Sequence, residues 1–228
     1  MKRPYIVCHM IQSVDGRIDC DMVDKISGDE YYEALEELAA PTILEGAMTM
    51  RIHNALPEPF VAADDTALQS EETYFRACEA PDGYCVSVET CGKMQWKDST
   101  LDGQPLVCIV GTGTSVAYLD YLKQKGISYI VVKAEPRVDV SRAMEVLCEQ
   151  FGVERMTLCG GGTMNGAFLK AGLIDEVSVQ IAAGIDGRKG RMCSFDGFPD
   201  VDTLPQSLTL TSVKQQGPTV WLRYTLGK

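Results

Sequence analysis

What this chain lacks narrows its chemistry before any motif is considered. It has two histidines, His9 and His53, and its nine cysteines (8, 20, 78, 85, 91, 108, 148, 159 and 193) include no C-x-x-C pair. No metal site is therefore expected. The cysteine count is odd and most lie in apolar segments, which fits reduced thiols in a cytoplasmic protein better than a disulfide framework. Positive charge is also scarce, with 21 Lys and Arg against 32 Asp and Glu and a net charge of −11. That balance argues against a nucleic-acid or anionic-membrane partner, which would be held through Lys and Arg. A single bound dinucleotide needs only local donors. No apolar run approaches the roughly 20 residues of a membrane span. The run from Tyr5 to Ile11 is short, interrupted by His9 and followed by Gln12-Ser13 without a small-residue cleavage site, so no signal peptide is expected.

What is present is an ordinary globular composition, 45% hydrophobic and 23% charged over 228 residues, which predicts one domain spanning 1–228. Its organising stretch is Met156 to Gly172. Met156–Cys159 reads as a buried strand, Gly160-Gly161-Gly162 follows, and Met164, Ala167, Phe168 and Ala171 then fall on one helix face. Without side chains, the glycine N–H groups can approach a phosphate at the positive end of the helix. The plainer alternative is a tight strand-to-helix turn that needs small residues for packing.

Around that stretch the pattern alternates strand and helix. Pro4–Ile11 is a strand delivering Ser13-Val14-Asp15-Gly16, a turn in which Asp15 is either a local backbone acceptor or a site residue. Ser27 and Glu30 have capping-box spacing at the start of a helix reaching about Ala39. Thr42–Leu44 is a short strand before Gly46-Ala47-Met48-Thr49. From about 54 to 104 the pattern loosens into an irregular insert, in which Tyr84–Thr90 alternates like a strand and Trp96 and Tyr74 are candidate interface residues. Leu106–Val110, a helix to near Gly126, and Ile127–Val132 form a right-handed β-α-β unit. Val116 breaks the G-x-G-x-x-G/A fingerprint there, which excludes a standard Rossmann site. A helix opens at Asp139, and Leu208–Val213 with Val220–Leu226 reads as a final antiparallel hairpin. The sum predicts a mixed sheet with helices on both faces.

Taken together, Ser13–Ile18, the Gly46–Thr49 turn and the run C-G-G-G-T-M-N-G-A-F-L-K-A-G-L-I-D-E at 159–176 resemble one family. It is the reductase domain of the riboflavin-pathway deaminase–reductase, within the dihydrofolate-reductase-like superfamily. The zinc-binding deaminase half has no counterpart here. The resemblance implies a dihydrofolate-reductase-like three-layer α/β fold, NADPH as hydride donor, a heterocyclic small-molecule substrate of pyrimidine or pteridine type, and a homodimer. By motif position, Gly46 and Thr49 would line the nicotinamide ribose, and Thr112 the adenosine end. Gly161, Gly162, Thr163 and Met164 would hold the pyrophosphate beside Gly160. Ser13 and Cys159 are candidate substrate contacts, although a buried strand-end cysteine is the plainer account of the latter.

The departures fall on the substrate side. An acid usual before the glycines is Cys159 here, an Asp after the Gly-x-x-Thr turn is His53, and a Trp and an Arg near the first helix are Lys25 and Glu37. An acid in place of a phosphate-pairing Arg turns attraction into repulsion. Hydride transfer asks the protein mainly to position the cofactor and exclude water. Candidate proton donors are His53 and Asp15. Alternatives are a dihydrofolate reductase or small-carbonyl reductase, and a non-catalytic nucleotide-binding protein. For the 2′-phosphate of the dinucleotide, Lys133 and Arg137 are the candidate partners.

Overall fold

The computed structural model describes residues 2–62, 64–197 and 205–227. In chain order the elements are β1 (Tyr5–Gln12), α1 (Cys20–Val23), α2 (Glu30–Leu38), β2 (Thr42–Gly46), α3 (Ala47–His53), β3 (Thr73–Phe75), β4 (Cys85–Val88), β5 (Thr100–Leu101), β6 (Gln104–Gly111), α4 (Val116–Gln124), β7 (Ser128–Val132), α5 (Val140–Phe151), β8 (Arg155–Leu158), α6 (Gly162–Lys170), β9 (Glu176–Ile181), β10 (Leu208–Gln216) and β11 (Thr219–Leu226). They form two compact units, one of Met1–Pro4 with Pro41–Glu154 and the other of Tyr5–Ala40 with Arg155–Lys228. Among the described residues no helix is long and apolar enough to cross a membrane.

The central unit, 41–154, orders its strands β2-β4-β6-β7-β3. β2, β4, β6 and β7 are parallel neighbours, while β3 runs antiparallel to β7. Every residue of β7 is buried, as expected of a parallel strand with an uninterrupted apolar sequence. Side chains of Met50, Trp96, Cys108, Tyr118, Leu122 and Tyr129 make one core cluster. The expected irregular insert therefore needs amending, because it supplies β4, an interior strand between β2 and β6. Trp96 is fully buried rather than an interface residue, and its backbone N–H is bonded by the Tyr121 hydroxyl. Tyr74 is exposed. Helix ends follow the sequence signals where a side chain is available. Ser115 caps α4 by accepting from Tyr118 N–H, and Asp139 caps α5 by accepting from Ser141 and Arg142 N–H.

The other unit orders its strands β10-β11-β9-β1-β8. β1 lies parallel to both β8 and β9, and β11 and β10 add the expected antiparallel pair. The result is a mixed, mostly parallel α/β fold of the dihydrofolate-reductase-like kind. The capping box at Ser27 does not form. The Ser27 hydroxyl donates to Val23 O, closing the turn after α1, and the Glu30 carboxylate accepts from Gly28 N–H instead. α2 then starts at Glu30 with no side-chain cap on its first turn.

His9 is fully buried in β1, stacked on Tyr31 at 4.6 Å and edge-on to Trp221. Its Nε2 faces the Tyr31 carbonyl, which can only accept, so Nε2 carries the proton. Nδ1 then accepts from the Ser178 hydroxyl at 2.9 Å, and that oxygen accepts from Trp221 Nε1 at 2.7 Å. Burial lowers the His9 pKa to about 4. A histidine depressed on folding leaves stability intact above its unfolded pKa of about 6.5 and removes it as pH falls toward 4. Urea unfolding should therefore show a loss of about 2 kcal/mol between pH 7 and pH 5 from this group alone. A His9→Gln variant should flatten that slope; an unchanged slope would remove His9 from the account.

Candidate functional site

In the unit built on β1 and β8, the glycine run forms as the sequence suggests. β8 leads through buried Cys159 to Gly160, whose φ of +90° is readily adopted only by glycine. The Gly160–Gly161 peptide is cis. Gly161 O accepts from the N–H groups of Met164 and Asn165 at 2.9 and 3.1 Å. Among the described residues, the N–H groups of Gly162 and Thr163 have no acceptor. They are the free donors of the first turn of a nine-residue helix and lie at its positive end.

Small size serves packing as well, so the plainer reading holds for part of the motif. A Cβ on Gly162 would lie 2.1 Å from Cys193 O, and one on Gly166 would lie 1.9 Å from Asp196 O. The 193–196 backbone thus rests directly on α6. Asp196 N–H donates to Gly162 O, Asn165 Nδ2 donates to Ser194 O at 2.7 Å, and the Ser194 hydroxyl donates to Gln12 Oε1 at 2.6 Å. Asn165 is fully buried, and its Oδ1 has no donor among the described residues. That orphaned acceptor beside Gly160, with the open amides of Gly162 and Thr163, fits a ligand bearing both an anion and a donor.

The turn after β1 is structural. Ser13 Oγ donates to Asp15 Oδ1 at 2.6 Å and accepts from Arg17 N–H. The Asp15 carboxylate also accepts from the N–H groups of Asp186 and Gly187 at 3.0 and 2.9 Å. The Ser13 hydroxyl, followed by those two amides, holds the Asp15 carboxyl well below the usual carboxylate range. A carboxylate held ionised at neutral pH has no proton to donate, so this geometry favours the reading of Asp15 as a local backbone acceptor. Ser13 is likewise engaged in fixing the turn. Arg17 pairs with Cys193 in an isolated bridge, so this turn, the 184–194 loop and α6 are joined.

In the central unit, Gly46 ends β2 and is the N-cap of α3, Thr49 lies in the first turn of α3, and His53 is exposed at its end. None of these three lines the cavity of about 320 Å³ at the C-terminal ends of β4, β6 and β7. Thr112 does line it, with Thr90, Gly113, Ser115, Lys93 and Asp65. Lys133 and Arg137 flank the lining residues Ala134 and Pro136 without lining the cavity themselves.

Glu45 was not singled out from sequence, although an acid in the apolar run Thr42-Ile43-Leu44 was the available signal. Burial, then the charge of Asp102, raise its pKa to about 7. Asn54 Nδ2 lies 3.5 Å from its Oε2.

Fold and glycine loop together define a mixed, mostly parallel α/β protein of the dihydrofolate-reductase-like kind, with a glycine turn leading from β8 into α6. The chain matches the RibD C-terminal domain over residues 4–222, and it belongs to that family. It is 28% identical over 232 residues to a protein of Methanothermobacter thermautotrophicus named 2,5-diamino-6-ribosylamino-4(3H)-pyrimidinone 5′-phosphate reductase, covering 99% of this chain and 95% of that one. Among solved structures, RibD of Acinetobacter baumannii aligns with a TM-score of 0.70 at 17% identity, over 99% of this chain and 58% of that one. A pyrimidine reductase-like protein of Corynebacterium diphtheriae aligns with a TM-score of 0.70 at 14% identity, over 99% and 92%. The chain thus spans little more than half of the longer RibD protein.

Two outcomes follow from this geometry. Gly166→Ala should lower stability by about 1–3 kcal/mol in denaturant, although alanine is the better helix former. A stabilised variant would show that the 193–196 backbone does not rest on α6. A carboxyl raised on folding weakens the fold as pH climbs from about 4.5 through 7, so Glu45→Gln should be more stable than the parent at pH 8 and not at pH 4. The urea midpoints at those two pH values check it.

Proposed function

We propose that the chain is a nicotinamide-dependent reductase that delivers hydride to a pyrimidine- or pteridine-like ring. The observation that carries this is the pair of N–H groups at Gly162 and Thr163 that have no acceptor among the described residues, in a chain with a relative named a pyrimidinone phosphate reductase. The bound nicotinamide would supply the hydride; the protein's part is positioning and exclusion of water. Gly162 and Thr163, flanked by Gly161 and Met164, are assigned to the pyrophosphate. The family resemblance assigns Gly46 and Thr49 to the nicotinamide ribose, Thr112 to the adenosine, and NADPH as the donor. One helix end contributes only about 0.3–2 kcal/mol toward an anion, against about 8 kcal/mol for micromolar binding. The sugar and base contacts therefore carry most of the affinity. With Asp15 locked as an acceptor, the proton comes from His53 or from water.

The substrate is expected to differ from the family's usual one in how its phosphate is held. Glu37, standing where an Arg is usual, is paired with Lys214 at 2.6 Å. A homodimer and a cytoplasmic location complete the proposal. The dimer is supported by β10, an edge strand exposed along its length with Leu208, Leu210 and Val213 bare. The location is supported by the absence of disulfides among the cysteines whose side chains are described.

Adding reduced nicotinamide dinucleotide to the purified protein should give a saturable change in nicotinamide fluorescence. The pyrimidinone ribosyl phosphate should then cause its oxidation, and dihydrofolate should not. Absence of saturable binding would remove the cofactor assignment. Binding without oxidation by either substrate would instead point to a nucleotide-binding protein that has lost catalysis.

A further inference from the structure

We infer that Gln12 supplies a side-chain N–H donor to the ligand held at the glycine turn, where an oxygen of the bound dinucleotide accepts it. The inference rests on the dinucleotide-binding reading above and adds to it a residue outside the glycine run.

β1 is longer than the strand that leads into the turn. Its pairing with β8 ends at Cys8 and Leu158, whereas its pairing with β9 continues to Gln12 and Ile181. The chain leaves β8 for the glycines while β1 runs on, so the last residues of β1 stand past the turn. Alternation along a strand puts Met10 and Gln12 on one face. Met10 shows which face that is, because a Cβ on Gly160 would lie 3.0 Å from its Sδ. Gln12 therefore projects on the face of the glycine turn, roughly 7 Å beyond Met10 along the strand.

Its carboxamide is held by one end. The Ser194 hydroxyl donates to Gln12 Oε1 at 2.6 Å, and the Ser194 carbonyl is fixed in turn by fully buried Asn165 at 2.7 Å. The Gln12 carbonyl accepts from Ala182 N–H at 2.8 Å, which anchors the backbone. With Oε1 engaged, the end left over is Nε2, a donor only, and it has no acceptor among the described residues. Gln12 is half-buried, so that end is not sealed in the core. A glutamine free in solvent loses rotamer entropy on meeting a ligand, whereas one already held by its oxygen has given up that freedom on folding. The result is a neutral donor of fixed direction, in the same unit as the unpartnered amides of Gly162 and Thr163. Its complement in a dinucleotide is an acceptor oxygen, on the diphosphate or on the nicotinamide carboxamide.

The test is calorimetric titration of the parent, Gln12→Met and Gln12→Glu with two probes, NADPH and 2′-phospho-ADP-ribose, which is the same molecule without the nicotinamide. Gln12→Met keeps the length and removes the polar atoms, and should weaken NADPH binding about three- to tenfold. Gln12→Glu keeps an acceptor for Ser194 but has no donor, and should weaken it at least as much. An equal loss for 2′-phospho-ADP-ribose assigns the bond to the diphosphate, and a loss for NADPH alone assigns it to the nicotinamide carboxamide. Parent-like affinity in Gln12→Met would overturn the inference. So would parent-like affinity in Gln12→Glu beside a weakened Gln12→Met, since Gln12 would then serve only to anchor Ser194. In either case the parent still binds and the reductase reading stands. A parent that binds neither probe would overturn the two together.

Discussion

Much of the unit that carries the glycine run depends on one contact, the direct laying of the 193–196 backbone on the first two turns of α6. No side chain separates them at Gly162 or Gly166. That closeness lets Asp196 N–H reach Gly162 O and lets Asn165 hold Ser194 O, which in turn sets the Ser194 hydroxyl on Gln12 at the end of β1. The turn at Ser13–Arg17 is tied to the same segment through the Arg17–Cys193 bridge and through Asp15 on the 186–187 amides. A single methyl group on α6 would push these links apart together. The glycines are thus determined by protein packing on one side, while the N–H groups of Gly162 and Thr163 have no acceptor among the described residues.

Two helix ends in this chain answer the same electrostatic demand in opposite ways. At α4 the positive end is met from within, by the Ser115 hydroxyl accepting from Tyr118 N–H. At α6 no side chain caps the first turn, and two amides stay without an acceptor among the described residues. In a chain of net charge −11, long-range attraction works against an anionic ligand. An anion would therefore have to be held by short-range donors, which a bare glycine backbone supplies and a lysine-rich surface would not.

Much of this was legible in the sequence, for physical reasons that differ by element. The parallel strands were visible because burial on both faces demands an unbroken apolar run, as in Leu106–Val110 and Ile127–Val132. Caps at Ser115 and Asp139 act through neighbours in sequence; the first was not singled out, and the second appeared as the opening of a helix. The capping box at Ser27 failed because α1, a four-residue helix with no clear periodicity, took the hydroxyl first. β4 was half seen: its alternation was noted, but the prolines and acids around it masked an interior strand. The depth of Glu45 was signalled only by its apolar neighbours, and the Asp65–Lys93 pair by nothing local. Each depends on residues 28 or more positions away in sequence, or on depth beneath the surface, and no local pattern encodes either.

Where the family resemblance would place an Arg near the first helix, this chain has Glu37. Deleting a phosphate-pairing Arg would leave a neutral gap, and a phosphate could still be accommodated by solvent. Glu37 goes further, because it brings an acid and couples it to Lys214 on β10. A surface pair of this kind contributes little to stability, so its presence is poorly explained by folding. With its charge balanced by Lys214, Glu37 supplies none of the attraction that an Arg at its place would offer a phosphate. The turn that could have compensated, at Ser13–Arg17, directs its hydroxyl and carboxylate inward to the 186–187 loop.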